Sequence, residues 1–210
     1  MSTPSSSNAA APLLEFWFEF ASTYSYPAAM RVESAALEAG VTLAWHPFLL
    51  GPIFSMQGWN DSPFNVYPAK GRYMWRDLAR ICAATGLPLR QPSQFPRNGL
   101  LAARIACAHA HAAWLPEFVR RVYSANFAED LDIADPAVIQ QVLHSLDLPA
   151  SVLAAGQAPQ AKAQLRAQTE RAQALDLFGA PSFVVGNEVF WGNDRLEAAL
   201  AWAQAANGDF

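Results

Sequence analysis

The chain reads as an α/β fold in which one small four-stranded sheet is assembled from the two ends of the sequence, with a large all-helical segment inserted between them. Three observations predict it. Residues 13–50 run strand, helix, strand; residues 178–210 run strand, strand, helix; and residues 51–177 carry helical periodicity without a strand pattern. Each end is too small to bury a core alone, so the two are expected to pair into one sheet, and a cut at the insertion would leave neither piece stable.

The elements follow in order. Leu13-Leu14-Glu15-Phe16-Trp17-Phe18-Glu19-Phe20 is an apolar strand. A helix is expected from about 23 to 39, stopped at Gly40. Val41 to Phe48 alternates as a second strand and ends at Pro47, which completes a βαβ unit of right-handed crossover. Gly51-Pro52 and Asp61-Ser62-Pro63 punctuate a loop, after which helices are expected at about 70–85, 98–113, 115–128, 136–146 and 158–176. The 98–113 segment is Ala-rich, with Leu100, Leu101, Ile105 and Trp114 near helical register, and so reads as packed. Ser182–Val185 and Glu188–Trp191 flank Gly186-Asn187, a hairpin signal, and residues 194–206 close the chain as a helix with Asn193 as N-cap. Joined, these ends form a thioredoxin-like core with a helical insertion.

Composition narrows the function. The 210 residues are about half apolar and carry a net charge of −4 with no Lys/Arg block, which argues against a nucleic-acid or anionic-membrane surface. Cys82 and Cys107 sit in apolar helical patterns where a free cysteine behaves as a small hydrophobe, so no structural disulfide is expected and a reducing cytoplasm fits. Met1 to Pro12 is Ser/Ala/Pro-rich without signal-peptide anatomy and reads as a disordered tail. No stretch approaches the roughly 20 apolar residues of a membrane span. Cys107 and His111 stand four apart on an expected helix, but no second pair of ligands accompanies them, so no metal is expected. Phosphate-loop, nucleophile-elbow and dinucleotide fingerprints are missing from the sequence.

Four stretches could carry chemistry. Ser22-Thr23-Tyr24-Ser25 occupies the strand-to-helix junction where thioredoxin-type proteins place Cys-x-x-Cys, with serine at both cysteine positions. A hydroxyl cannot form a disulfide, but with the amides at a helix head it can stabilise a thiolate supplied by another molecule; the plainer reading of Ser22 is an N-cap. Phe178-Gly179-Ala180-Pro181-Ser182 precedes the third strand, and a cis bond at Pro181 would leave the Ala180 backbone groups free to pair with an extended peptide, though Gly-Ala-Pro is also a common turn. Phe190 to Arg195 opens the last helix, where Asn193 and Asp194 can either bind the two ends of an amino acid or simply cap. Lys70, Tyr73 and Asp77 share one helical face, fit either for holding the carboxylate of an aromatic substrate or as a solvated surface.

In the same order, the stretches Phe18 to Tyr26, Pro68 to Leu78, Phe178 to Ser182 and Phe190 to Leu196 resemble the 2-hydroxychromene-2-carboxylate isomerases, relatives of kappa-class glutathione transferases and of DsbA-like oxidoreductases. The resemblance covers roughly residues 13 to 205. It implies a DsbA/kappa-type thioredoxin fold, usually a homodimer, that uses glutathione. Ser22 matches the catalytic serine; Ala180, before the matched cis-proline Pro181, the site of the cysteinyl moiety; Asn193 and Asp194 the γ-glutamyl end; Asn65 the glycine end; and Lys70 a lysine beside the site. The chain departs from the family at Thr23, usually proline, at Pro27, usually leucine, and at Glu19, usually aspartate.

The implied reaction is reversible addition of a thiol to an aromatic small-molecule substrate, interconverting 2-hydroxychromene-2-carboxylate and trans-o-hydroxybenzylidenepyruvate. Tyr24, Phe48, Phe54, Trp59, Phe64 and Tyr73 are the expected substrate pocket, although the loop aromatics among them fit a core equally well. A glutathione transferase or peroxidase using the same thiolate, and a non-catalytic binding module, remain the alternatives. Disulfide exchange is disfavoured because neither cysteine lies at the junction.

Overall fold

The computed structural model describes residues 11–206. Four strands, β1 (Leu13–Phe18), β2 (Thr42–Pro47), β3 (Ser182–Val185) and β4 (Glu188–Trp191), form one sheet in the order β2-β1-β3-β4. β1 runs parallel to β2, with Phe16 beside Trp45, and antiparallel to β3, with Phe16 beside Phe183; β3 and β4 are the expected hairpin, turning at Gly186 with φ of 59°. A left-handed backbone at that turn suits glycine. The expected tail falls outside the described residues up to position 10, while Pro12 is already tied in, its carbonyl accepting from Thr42 N at 2.7 Å.

The two-residue period of β1 sorts its side chains. Leu14, Phe16 and Phe18 join Val32 of α1 (Ser25–Glu38) and Ala199 of α10 (Leu196–Ala206) in a large core. That core continues into Ile105 of α5 (Leu100–Ala108) and Phe118 of α6 (Leu115–Phe127), so sheet and insertion share it. Trp17 points the other way, into a second cluster with Phe48, Ile53, Ala172, Leu177 and Val184. These buried side chains are mostly aromatic or branched, each contributing on the order of 2 kcal/mol.

The insertion departs from expectation in four places. The stretch read as loop holds two short helices, α2 (Leu50–Met56) and α3 (Pro63–Val66), the latter started by Ser62 Oγ accepting from Phe64 N at 3.3 Å. α4 (Pro68–Thr85) starts earlier than expected, with proline at its first position, and stops at Gly86, whose φ is 69°. α5 ends at Ala108, and a turn in which Ala112 N donates to His109 O puts Cys107 and His111 on different elements. Between α7 (Pro136–His144) and α9 (Pro159–Ala174) lies an unexpected α8 (Ala150–Gln157), whose Ala/Gly-rich sequence between Pro149 and Pro159 has too little apolar contrast to show a stripe. At the carboxyl end Asn193 does not cap: residues Asn193–Arg195 form a single 3-10 turn before α10.

Candidate active site

Ser22 lies in the turn that carries β1 into α1. Its N–H donates to Glu19 O at 2.9 Å, which closes the turn. Its Oγ accepts from Ser25 N at 3.3 Å and donates to the Ala180 carbonyl at 2.8 Å. The N-cap position of α1 is Tyr24, not Ser22; the Ser22 oxygen accepts from the first helical amide, and its hydrogen points across to the loop before β3. Regular helix begins at Ser25, which brings Pro27 into the first turn, where its missing N–H costs nothing. Thr23 is buried with Oγ1 on Met74 Sδ at 3.1 Å, a contact that fastens the turn to α4.

The Ala180–Pro181 bond is cis. Among the described residues the Ala180 N–H has no backbone acceptor, so a bound chain could take it up, while the carbonyl already holds Ser22. Gly179 lets the loop pass under Trp191: a Cβ there would lie 2.3 Å from Trp191 Nε1. Trp191 stacks edge-on against Phe178, with ring centroids 4.9 Å apart, and both rings are about half exposed at the mouth of the site.

Ser22 and Ala180 open onto a cleft of about 1270 Å³ between the sheet end and the insertion. That exceeds the usual volume for one drug-sized ligand and leaves space for a tripeptide together with an aromatic molecule. Tyr24, Phe54, Trp59, Phe64, Lys70 and Tyr73 all line it. Phe54 and Trp59 pack at 5.7 Å, Tyr24 and Phe64 at 6.4 Å, and Lys70 Nζ stands 6.0 Å from the Phe64 ring. The shared face of α4 is real, but Asp77 pairs with the Tyr24 hydroxyl at 3.0 Å and with Arg80 at 3.7 Å, not with Lys70.

The remaining expected residues stand elsewhere or are already engaged. Phe48 is fully buried against Trp17 at 6.0 Å and belongs to the second core; it lies just past β2, fastened to β1 where its N–H donates to Phe18 O at 3.0 Å. Asn65 is off the cleft wall, its amide donating to Asp61 Oδ1 and Oδ2 at 3.2 and 3.1 Å. Asn193 and Asp194 do border the cleft, but Asn193 Oδ1 accepts from Arg31 Nε at 3.3 Å. Asp194 is held over Gly192, whose φ of 117° and lack of a Cβ admit the carboxylate. Pro181 supplies the carbonyl that receives Gly192 N at 2.9 Å, locking the two carboxyl-terminal motifs together.

The sequence reading missed the far wall, Phe95 to Leu100. Arg97 is buried there, paired with Asp130 and donating through Nη1 to Asn126 O at 3.3 Å; Asn126 Nδ2 in turn donates to Phe20 O at 3.1 Å. The stretch Gln91-Pro92-Ser93-Gln94-Phe95-Pro96 before it has no helical or strand period, so nothing local marks the arginine. Only its acidic partner, 33 positions downstream, reveals it as structural.

Two groups in the cleft titrate abnormally. Burial pushes the Glu19 carboxyl up to about 7, against a smaller opposing effect of Ala21 N, which donates to Oε2 at 3.1 Å. Burial, then the hydrogen bond to Asp77, raises the Tyr24 phenol, so it stays a neutral donor. Among the described residues no group of three metal-ligating side chains occurs, and no helix is long and apolar enough to cross a membrane.

Along most of its length the chain is similar to known proteins. The chain is 27% identical to the 2-hydroxychromene-2-carboxylate isomerase of Sphingobium xenophagum over 88% of its own length and 94% of the relative's. It is 28% identical to the Pseudomonas putida protein of the same name, over 94% and 98%. A solved 2-hydroxychromene-2-carboxylate isomerase superposes with a TM-score of 0.82 at 26% identity, covering 94% of this chain and 98% of that one. Residues 13–201, from β1 into α10, match the model of the DSBA-like thioredoxin domain, and the chain belongs to that family.

Proposed function

We propose that the chain is a glutathione-dependent isomerase that interconverts 2-hydroxychromene-2-carboxylate, or a related aromatic acid, with trans-o-hydroxybenzylidenepyruvate. The observation that carries this is the Ser22 hydroxyl set against Ala180 on the floor of a cleft walled by aromatic rings. The similar isomerases named above support the same substrate class.

The residues fit glutathione. An open amide at Ala180 suits the backbone of a cysteinyl unit, and a hydroxyl at the head of a helix suits a sulfur anion. Bound there, glutathione would supply a thiolate that adds reversibly to an electrophilic carbon, so that a double bond becomes a rotatable single bond. The protein's part is to hold and to exclude. Ser22 turns its hydrogen from the Ala180 carbonyl toward the anion, and the amides at the start of α1 add their dipoles. Phe54, Trp59 and Phe64 cover the aromatic portion, and Lys70 offers a charge to the substrate carboxylate. The reading extends to a cytoplasmic homodimer, tested by sedimentation of the purified protein and by fractionation of the source cell.

The deciding experiment follows both compounds and glutathione by chromatography. Equilibration from either side with glutathione undiminished, and a rate at least roughly 10²-fold lower without it, is the expected result. An accumulating conjugate would instead make the protein a transferase, and glutathione binding without turnover of any electrophile would make it a binding module.

A further inference from the structure

We propose that Glu19 is the proton acceptor and donor of this cleft: it takes the thiol proton of the glutathione held beside Ser22 and returns it to the substrate. This rests on the function proposed above and names a residue that the reaction needs.

Ser22 can donate to an anion, but an alcohol is too weak a base to generate one near neutrality. A second group must receive the proton. None of the four histidines lines the cleft. Four carboxylates do, namely Glu19, Asp61, Asp77 and Asp194. Asp61 accepts from Ser62 N and the Asn65 amide, Asp77 accepts from the Tyr24 hydroxyl and lies 3.7 Å from Arg80, and Asp194 lies 3.4 Å from Arg195. Each of these three already has a side-chain donor or a cation beside it.

Glu19 differs. Its carboxyl is partly buried on the cleft wall, it has no cation within ion-pair distance among the described residues, and its single donor is Ala21 N at 3.1 Å on Oε2. The other oxygen is left for a proton. Its position is fixed from both sides, because the Glu19 carbonyl accepts Ser22 N and the Tyr123 hydroxyl of α6, both at 2.9 Å. Groups facing it from neighbouring elements do not compete. Tyr123 is a neutral donor already spent on that carbonyl, and Arg97 is committed to Asp130 and Asn126. Burial also places the carboxyl near neutrality, where it can both take and release a proton.

The proton balance closes without another reactant. The open-chain keto form is reached when the hemiketal hydroxyl proton passes to the phenol oxygen as the ring C–O bond breaks. In that form Glu19 takes the sulfur proton as the C–S bond forms, the carbon π pair moves toward the adjoining carbonyl to give an enolate, and Glu19 protonates its carbon. After rotation Glu19 removes that proton, the enolate pair re-forms the double bond, sulfur leaves, and Glu19 re-protonates it. The thiol is regenerated and no electrons are gained or lost.

The test titrates the full-length protein with glutathione, reading thiolate by its ultraviolet absorbance, and reads the protonated carboxyl of the ligand-free protein by infrared spectroscopy. In the parent, a carboxyl band titrates near neutrality, and thiol and carboxyl ionise in two coupled steps. In Glu19→Gln the band is lost, the thiolate curve becomes a single step at lower pH, and turnover falls roughly 10²-fold with glutathione affinity within about twofold. Glu19→Asp retains the two-step curve and recovers at least a tenth of the parent rate, and it alone carries the test if the Gln variant does not fold. Glutathione binding with superimposable thiolate curves in parent and Glu19→Gln overturns this proposal and leaves the functional reading standing. Failure of the parent to bind glutathione overturns both.

Discussion

The Ser22 hydroxyl donates to the Ala180 carbonyl at 2.8 Å, a bond that joins the first strand-to-helix turn to the loop before β3 across 158 positions of sequence. The same oxygen accepts from Ser25 N, so one small side chain links the two ends of the chain and holds the first amide of α1. Ser22→Ala removes both bonds. A net loss of about 1–2 kcal/mol is expected from two missing hydrogen bonds, seen as a lower midpoint in urea with unchanged slope. Turnover should fall by more than that destabilisation explains, roughly 10²-fold, with glutathione affinity measured by calorimetry changed far less. Equal losses in binding and turnover would make Ser22 a structural link alone.

Gly179 is the next constraint. Because an added Cβ would meet Trp191 Nε1 at 2.3 Å and Cε2 at 2.9 Å, Gly179→Ala must push the indole off Phe178 or shift the Ala180 loop. Either movement disturbs the wall of the cleft nearest Ala180. The expected result is a roughly tenfold weaker glutathione complex, with tryptophan fluorescence shifted toward that of solvent-exposed indole. Unchanged fluorescence and affinity would mean that the loop absorbs the methyl elsewhere.

The sheet was legible because its signals are local. Strand alternation, Gly40 after the first helix and the Gly186-Asn187 turn each act within a few residues, and β3 and β4 fall where the pattern puts them. Ser22, Ala180, Lys70 and Tyr73 come together on one cleft because the motifs that carry them stand at element boundaries or on one helix face. Phe48 misled because apolar composition does not reveal which side of a strand end faces a cavity; only the sheet direction turns it toward Trp17. What the sequence does not show for Asn65 and Asn193 is that their amides are engaged by Asp61 and Arg31, the second of these a partner 162 residues away. The Arg97 wall depends on Asp130 and Asn126 in the same way, and no sequence window contains both sides of such a network.

Glu19 gives a stability signature separate from catalysis. Its carboxyl ionises near 4.5 in the unfolded chain and at about 7 in the fold, so the unfolded state gives up its proton first as pH rises. Folding therefore carries no penalty from this group below the lower value, loses stability through the window between the two, and bears the full cost above the upper one. Glu19→Gln should match the parent at about pH 4 and exceed it by roughly 1–3 kcal/mol at about pH 8, measured by urea unfolding at each pH. A constant difference across that range would show that the carboxyl does not change ionisation on folding.

Lys70 is the cation of the cleft that, among the described residues, has no carboxylate within ion-pair distance; its Nζ stands over Phe64 at 6.0 Å. An exposed cation–π contact contributes little to stability, about 0.5–1 kcal/mol, so Lys70→Met should unfold close to the parent midpoint. A charge free to meet a substrate carboxylate has a different consequence. Loss of that pairing in a partly desolvated cleft should raise KM for the aromatic acid about tenfold, with kcat within about threefold, because the charge contacts ground and transition states alike. Raising the ionic strength should weaken the parent toward the variant while leaving the variant nearly unaffected, since screening acts only where the charge is present. If kcat falls with KM unchanged, Lys70 acts on the charge that develops during the reaction instead, and the carboxylate must be held from the other side of the cleft.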